Sequence, residues 1–99
     1  MTINVAKFGT VLTSRQAGKE AYAAFLPMLA SANTTEDILV NFEGVSVFSP
    51  SWGDEFLTPL QQKFGNRVRL ENTSNPSVRL TVKTLERING STFKTAWAG

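Results

Sequence analysis

Apolar residues along this chain follow a strand-like spacing in some segments and a helical spacing in others. Residues 2–8 and 67–71 alternate polar and apolar positions, as half-buried strands do. The segment 37–42 (DILVNF) is a short, mainly apolar run, which is typical of a strand buried on both faces of a parallel sheet. Val11-Leu12 fits a further, very short strand. The pattern therefore predicts three main strands and a short additional one.

Three helices are predicted between and after these strands, because apolar residues recur there every three or four positions. The first covers 15–31, the second 51–64 and the third 76–89, with Gly90 ending the last. The predicted inner faces are Ala17, Ala21, Phe25, Met28 and Leu29 in the first helix, Trp52, Phe56, Leu60 and Phe64 in the second, and Val78, Val82, Leu85 and Ile88 in the third.

The first two helix starts carry residues that cap helices well. Thr13 fits a capping box with the residue three positions later. The second helix has two competing starts: Ser49 followed by Pro50, and Ser51 paired with Asp54. Ser49 is the expected cap, because proline is favoured at the first helical position.

Strands that alternate with helices predict an α/β fold with parallel strands joined by crossovers. We expect one domain over residues 1–99, with a core over about 2–89 and a mixed, mostly parallel sheet of about four strands packed by three main helices. Strand 37–42 is expected at the centre, between 2–8 and 67–71. The tail 90–99 shows no periodicity, and no element is predicted there.

Composition narrows the chemistry that this chain can perform. There is no Cys and no His, which excludes disulfides, thiolate nucleophiles, imidazole bases and the usual zinc ligands, and no cofactor or metal is expected. A net charge of +2 falls short of a nucleic-acid footprint. No apolar run has the length of a signal peptide or membrane span, so a cytoplasmic protein without membrane contact is expected.

The sequence VNFEGVSVFSPSWGDEFL, which joins strand 37–42 to the second helix, resembles the STAS-like family, small relatives of the bacterial anti-sigma-factor antagonists. The stretch that opens the first helix, Thr13-Ser14-Arg15, looks similar too. The resemblance covers roughly residues 2–89. It rests on Phe42, Gly44, Val45, Ser49, Pro50, Ser51, Trp52, Asp54 and Glu55.

The resemblance implies a non-catalytic regulatory module that binds a histidine-kinase-like ATPase, which phosphorylates a serine at the start of the second main helix. Here that start offers Ser51 and Ser49, and Ser51 is the better phospho-acceptor since Ser49 is expected to cap. The chain has Ser49-Pro50-Ser51-Trp52 where those antagonists have Asp-Ser-Ser-Gly, and Asn41 where relatives often have Asp. The implied partner-binding residues are Ser49, Ser51, Trp52, Asp54, Glu55 and Arg15.

Simpler structural roles compete at each of these positions. The serines cap helices, Trp52 fits the core, and acids in a first turn favour the helix dipole. Asp54 and Glu55 point about 100° apart on a helix, so they are not expected to form a paired acid–base site. Arg15 is unfavourable for the dipole at a helix start, which indicates a salt bridge or a binding role.

Two other function classes are compatible with the sequence. A small nucleotide-binding or phosphate-binding protein, or an enzyme, would use the N-terminus of the second helix to hold a phosphate. The sequence offers no nucleophile–base pair and no Gly-rich phosphate loop for it. A domain that serves to form a homodimer is the third class, since a chain of 99 residues buries a modest core.

A basic stripe, Arg79, Lys83 and Arg87, follows the last helix at four-residue spacing. A solvated face is the simpler interpretation. Leu80 lies beside the stripe, and an exposed apolar residue flanked by cations would suit an acidic partner. Alternatively, aromatic residues of the C-terminal tail cover Leu80.

Overall fold

The computed structural model describes residues 1–30 and 36–95, which form three helices and two parallel sheets. The strands are β1 (Thr2–Asn4), β2 (Val11–Leu12), β3 (Ile38–Asn41), β4 (Val47–Phe48), β5 (Val68–Glu71) and β6 (Lys94–Thr95). The helices are α1 (Arg15–Ala30), α2 (Pro50–Phe64) and α3 (Pro76–Asn89). The predicted α/β class is confirmed.

The main sheet has the strand order β1-β3-β5-β6, and every ladder between its described strands is parallel. Strand β3 lies inside it, with β1 on one side and β5 on the other, as the pattern predicts. Ile3, Val40 and Leu70 lie in register across these three strands, and all three are buried. Strands β2 and β4 form a separate parallel pair.

Only one face of the main sheet is fully buried, so the prediction that strand 37–42 is buried on both faces is wrong. Ile38 and Val40 are buried, whereas Leu39 and Asn41 on the other face are only half-buried. The physical reason is the layering. Apolar residues of the helices meet the Ile38 side in a single core, and within residues 1–30 and 36–95 no helix covers the opposite face.

The first predicted strand is shorter than 2–8, because β1 ends at Asn4 and Val5–Phe8 forms a 3-10 turn. This turn keeps Val5 buried and brings the Phe8 ring to 5.4 Å from Phe56, measured between ring centroids. In a straight strand Val5 and Phe8, three positions apart, would lie on opposite faces of the sheet. The turn brings both side chains to the core, so the packing of Phe8 overrides the alternating pattern.

Nine of the thirteen predicted inner-face residues are buried and four are not, while Leu57 and Thr81 are buried without having been predicted. Ala17 and Met28 are exposed, and Gly18 lies inside instead. Phe64 is half-buried, and Ile88, near the end of α3, is 67% exposed. Periodicity identifies the inward side of a helix but does not show where the neighbouring element ends.

The caps of α1 and the C-terminal tail also differ from expectation. Ser14, rather than Thr13, accepts the backbone N–H of Ala17 at 3.1 Å. The tail contributes β6, which pairs with β5, and buries Phe93. Trp97 and residue 31, the predicted end of the first helix, lie outside the described residues.

Candidate functional site

Helices α1 and α2 begin side by side, and a glycine sets their distance. A Cβ atom built on Gly18 would lie 2.5 Å from the carbonyl oxygen of Trp52 and 3.0 Å from its Cα. Only a residue without a side chain allows this approach. The contact places Arg15, one turn earlier in α1, opposite the first turns of α2.

Arg15 joins the two helix starts through both acids of the motif. Its Nη1 atom donates to Asp54 Oδ2 at 3.1 Å and to Glu55 Oε1 at 2.9 Å. The two carboxylates therefore share one cation, although their side chains diverge along the helix. The hydrogen bond to Glu55, and then that to Asp54, raises the pKa of the Arg15 guanidinium. Of the two roles predicted for Arg15, the structure shows the salt bridge, and the binding role stays a prediction.

This charged cluster is open to solvent. The Arg15 side chain is more than half exposed, and the two acids are about one-third exposed. Exposed ion pairs contribute little to stability because water and salt screen them. The main consequence of the cluster is therefore a defined arrangement of charge on the surface beside the start of α2.

Ser49 is committed to the structure of the helix start. Its hydroxyl oxygen accepts the N–H of Trp52 at 3.3 Å, and its O–H group donates to the carbonyl oxygen of Thr13 at 2.9 Å. Its backbone carbonyl accepts the N–H of Gly53 at 2.9 Å. The first of the two competing starts is thus the observed one, and Ser49 holds the α2 start against the segment before α1.

Ser51 is placed differently. It is half-buried at the second helical position of α2, and its hydroxyl has no hydrogen-bond partner among the described residues. The alternative capping box with Asp54 does not form. Asp54 instead accepts from Arg15 on one oxygen and from the Thr58 hydroxyl on the other, at 2.9 Å. The Ser51 hydroxyl is therefore uncommitted, in the sense that no described residue forms a hydrogen bond with it, and it lies within one turn of the charged cluster.

Trp52 lies in the core. Its side chain is 1% exposed, its ring stacks on Phe56 at a centroid distance of 5.1 Å, and Phe48 and Phe8 pack around it at 5.8 Å and 6.0 Å. The structure thus removes the Trp52 side chain from any docking surface. It anchors the helix start that carries Ser51.

Sequence reasoning missed two residues that shape this site. Gly18 gives no pattern signal of its own, because an isolated glycine in a helix has many explanations. Thr58 extends the cluster, since its hydroxyl also accepts from Asn89 Nδ2 at 3.2 Å and so connects α2 to α3. The i to i+4 spacing of Asp54 and Thr58 was the available signal.

The remaining candidate residues lie elsewhere. Arg79, Lys83 and Arg87 are all exposed on α3 and take no part in the cluster. A cavity of about 350 Å³, lined in part by Glu36, Asp37 and Arg69, lies at the edge of the sheet where β3 begins. A second cavity, of about 280 Å³, lies between α2 and α3 and is lined by the polar residues Thr58, Gln61, Gln62, Asn89 and Ser91.

Metal-binding clusters, membrane-spanning helices and similarity to known proteins are three further properties that bear on function. Within the described ranges, no three His, Cys, Asp or Glu residues are grouped so that they could hold a metal ion. None of the helices described is both long enough and apolar enough to span a bilayer. Comparison of the chain with protein-family models, curated proteins and solved structures finds no match.

Proposed function

We propose that this chain is a non-catalytic, cytoplasmic regulatory module of the kind that the anti-sigma-factor antagonists represent. It docks a histidine-kinase-like ATPase through the start of α2, with Ser51, Asp54, Glu55 and Arg15 at the contact, and phosphorylation of Ser51 ends the association. The observation that carries this proposal is the uncommitted Ser51 hydroxyl beside the charged cluster, with its neighbour Ser49 fully engaged as a cap.

The charge arrangement gives the switch a physical basis. A phosphoryl group adds about −1.5 to −2 charge at neutral pH. On Ser51 it would stand three and four residues before Asp54 and Glu55, positions that face each other on a helix. It would repel both acids and compete for Arg15, the cation they share. A partner surface that fits the unmodified arrangement would then have to bury an additional unpaired charge.

The hydrogen bonds at the same helix start weigh against the phosphate-binding alternative. Phosphate at a helix N-terminus requires free backbone N–H groups. Pro50 has none and Ser49 engages the N–H groups of Trp52 and Gly53, which leaves the N–H of Ser51 as the single free donor among these four positions. These commitments favour a protein-docking role over a phosphate site.

A charge substitution tests the proposal. We expect Ser51→Asp to weaken binding to a histidine-kinase-like ATPase, taken from the neighbouring genes, by at least tenfold, about 1.4 kcal/mol, while Ser51→Ala stays within a few-fold of the parent. Calorimetric titration of the three forms measures this. Aspartate is tolerated in the first turn of a helix, so the melting temperature should change by only a few degrees.

The matched control is Ser74→Asp, which adds the same charge at an exposed position before α3. Its affinity should equal that of the parent. Equal affinities for the parent and Ser51→Asp would remove Ser51 from the interface, and no binding by the parent would contradict the docking proposal itself.

A further inference from the structure

The outward side of α3 combines positive charge with exposed apolar surface. The basic stripe, Arg79, Lys83 and Arg87, is exposed along its length. Leu80 and Ile88 are 68% and 67% exposed, which makes them the most exposed large apolar side chains among the described residues. Either side chain alone would be ordinary on a protein surface, so the case for an interaction surface rests on their placement beside the cations.

The two kinds of residue form parallel rows. Successive members of the stripe are four residues apart, so they lie about 6 Å apart along the helix axis, and Leu80 and Ile88 are separated by about 12 Å. Leu80 is three residues before Lys83, which makes the two side chains neighbours on the helix surface. Leu80 and Ile88 are thus the two ends of a row whose middle residue is the half-buried Thr84, and this row runs beside the basic one over two turns.

The charges of Lys83 and Arg87 are not balanced by the helix that carries them. Among the described residues, neither Lys83 nor Arg87 forms an ion pair, and the first turn of α3 contains no acid. Glu86, the one acid in α3, accepts the backbone N–H of Phe93 at 2.8 Å. Helix-dipole stabilisation accounts for Arg87 in the last turn but not for Lys83 in the middle.

We propose that this face of α3 docks an acidic amphipathic helix of a protein partner, at a site distinct from the α2 start. Carboxylates at four-residue spacing on such a helix repeat at the same 6 Å interval as the cations, and an apolar row next to them would cover Leu80 and Ile88. Charge complementarity sets the orientation and speeds association, and burial of the apolar side chains supplies affinity.

A protein helix fits this surface better than an anionic membrane does. Surface-binding helices insert a wide apolar face, commonly with aromatic residues, into the bilayer interface. Here the exposed apolar row has two aliphatic side chains and no aromatic one. Two narrow rows in register match a second helix, whereas a bilayer places no demand on spacing.

The probe for this site is a fluorescent 16-residue peptide, (Glu-Leu-Ala-Glu)4, measured by fluorescence anisotropy in about 0.15 M NaCl, where the Debye length is about 8 Å. We expect saturable binding that Lys83→Glu/Arg87→Glu weakens by at least tenfold. Leu80→Ser should weaken it several-fold at unchanged net charge. The control Lys7→Glu/Lys19→Glu makes the same change in net charge at exposed positions outside α3 and should stay within about twofold of the parent.

Four outcomes would overturn the proposal. The first is that the peptide does not bind, and the second is that the stripe variant and its control lose affinity for it equally. The third is that a peptide with lysine in place of glutamate binds with full affinity. The fourth is that the protein binds phosphatidylserine-containing vesicles in preference to the peptide. All variants should melt within a few degrees of the parent because the substituted residues are exposed. Since the ATPase is absent from this assay, the outcome does not depend on the proposal for Ser51.

Discussion

Phe56→Ala is expected to destabilise the protein by about 3–5 kcal/mol, the range for removal of a fully buried aromatic ring. The Phe56 side chain is 0% exposed and lies at the centre of an aromatic cluster. Its ring stacks on Trp52 at 5.1 Å and contacts Phe8 and Tyr22 at centroid distances of 5.4 Å and 6.0 Å. Alanine would leave a cavity where α1, α2 and the 3-10 turn meet. The free energy of unfolding from chemical denaturation measures the loss.

The matched control is Phe64→Ala, which makes the same truncation in the last turn of α2, where the side chain is only half-buried. It should cost clearly less than Phe56→Ala, because part of the ring already contacts water. A loss below about 1 kcal/mol for Phe56→Ala would contradict the assignment of Phe56 to the core.

Gly18→Ala is expected to destabilise the protein by about 1–3 kcal/mol, although alanine favours helix formation over glycine by about 1 kcal/mol. The added Cβ atom would lie 2.5 Å from a backbone oxygen and 3.0 Å from a Cα atom of α2. Backbone atoms cannot rotate away as a flexible side chain can, so α1 must move away from α2. That movement would also separate Arg15 from Asp54 and Glu55.

Chemical denaturation of Gly18→Ala beside Gln16→Ala gives the comparison, since Gln16 is exposed in the same helix and its replacement should change stability little. If Gly18→Ala is at least as stable as the parent, the gain in helix propensity exceeds the steric cost of the added Cβ atom. The close approach of α1 and α2 would then be contradicted.

Features with a local cause could be predicted from the sequence. The third helix has the bounds predicted for it, because the Asn75 side chain caps its start and Gly90 ends it in the left-handed conformation that glycine adopts readily. Strand β3 is interior, because Ile38 and Val40 belong to a run too apolar for a solvent-exposed edge. In each case the signal lies within a few residues of the element.

Features with a distant cause could not be predicted in the same way. The shared contacts of Asp54 and Glu55 with Arg15 join positions about forty residues apart in the chain. They depend on the packing at Gly18, which the periodic pattern does not encode. The pairing of β6 with β5 likewise depends on where the end of α3 leaves the chain. For the candidate site, the residue types were therefore predictable, and their arrangement required the fold.

Residue-resolved NMR of the 15N-labelled chain, titrated with an unlabelled ATPase of the proposed kind, tests the proposed docking most directly. We expect shift changes or line broadening at Arg15, Ser51 and Glu55 in the parent, and their loss in Ser51→Asp. The amides of Thr2 and Arg69, on the open face of the sheet, should stay unchanged. Shift changes confined to the open sheet face or to α3, with the α2 start unaffected, would contradict docking through the α2 start.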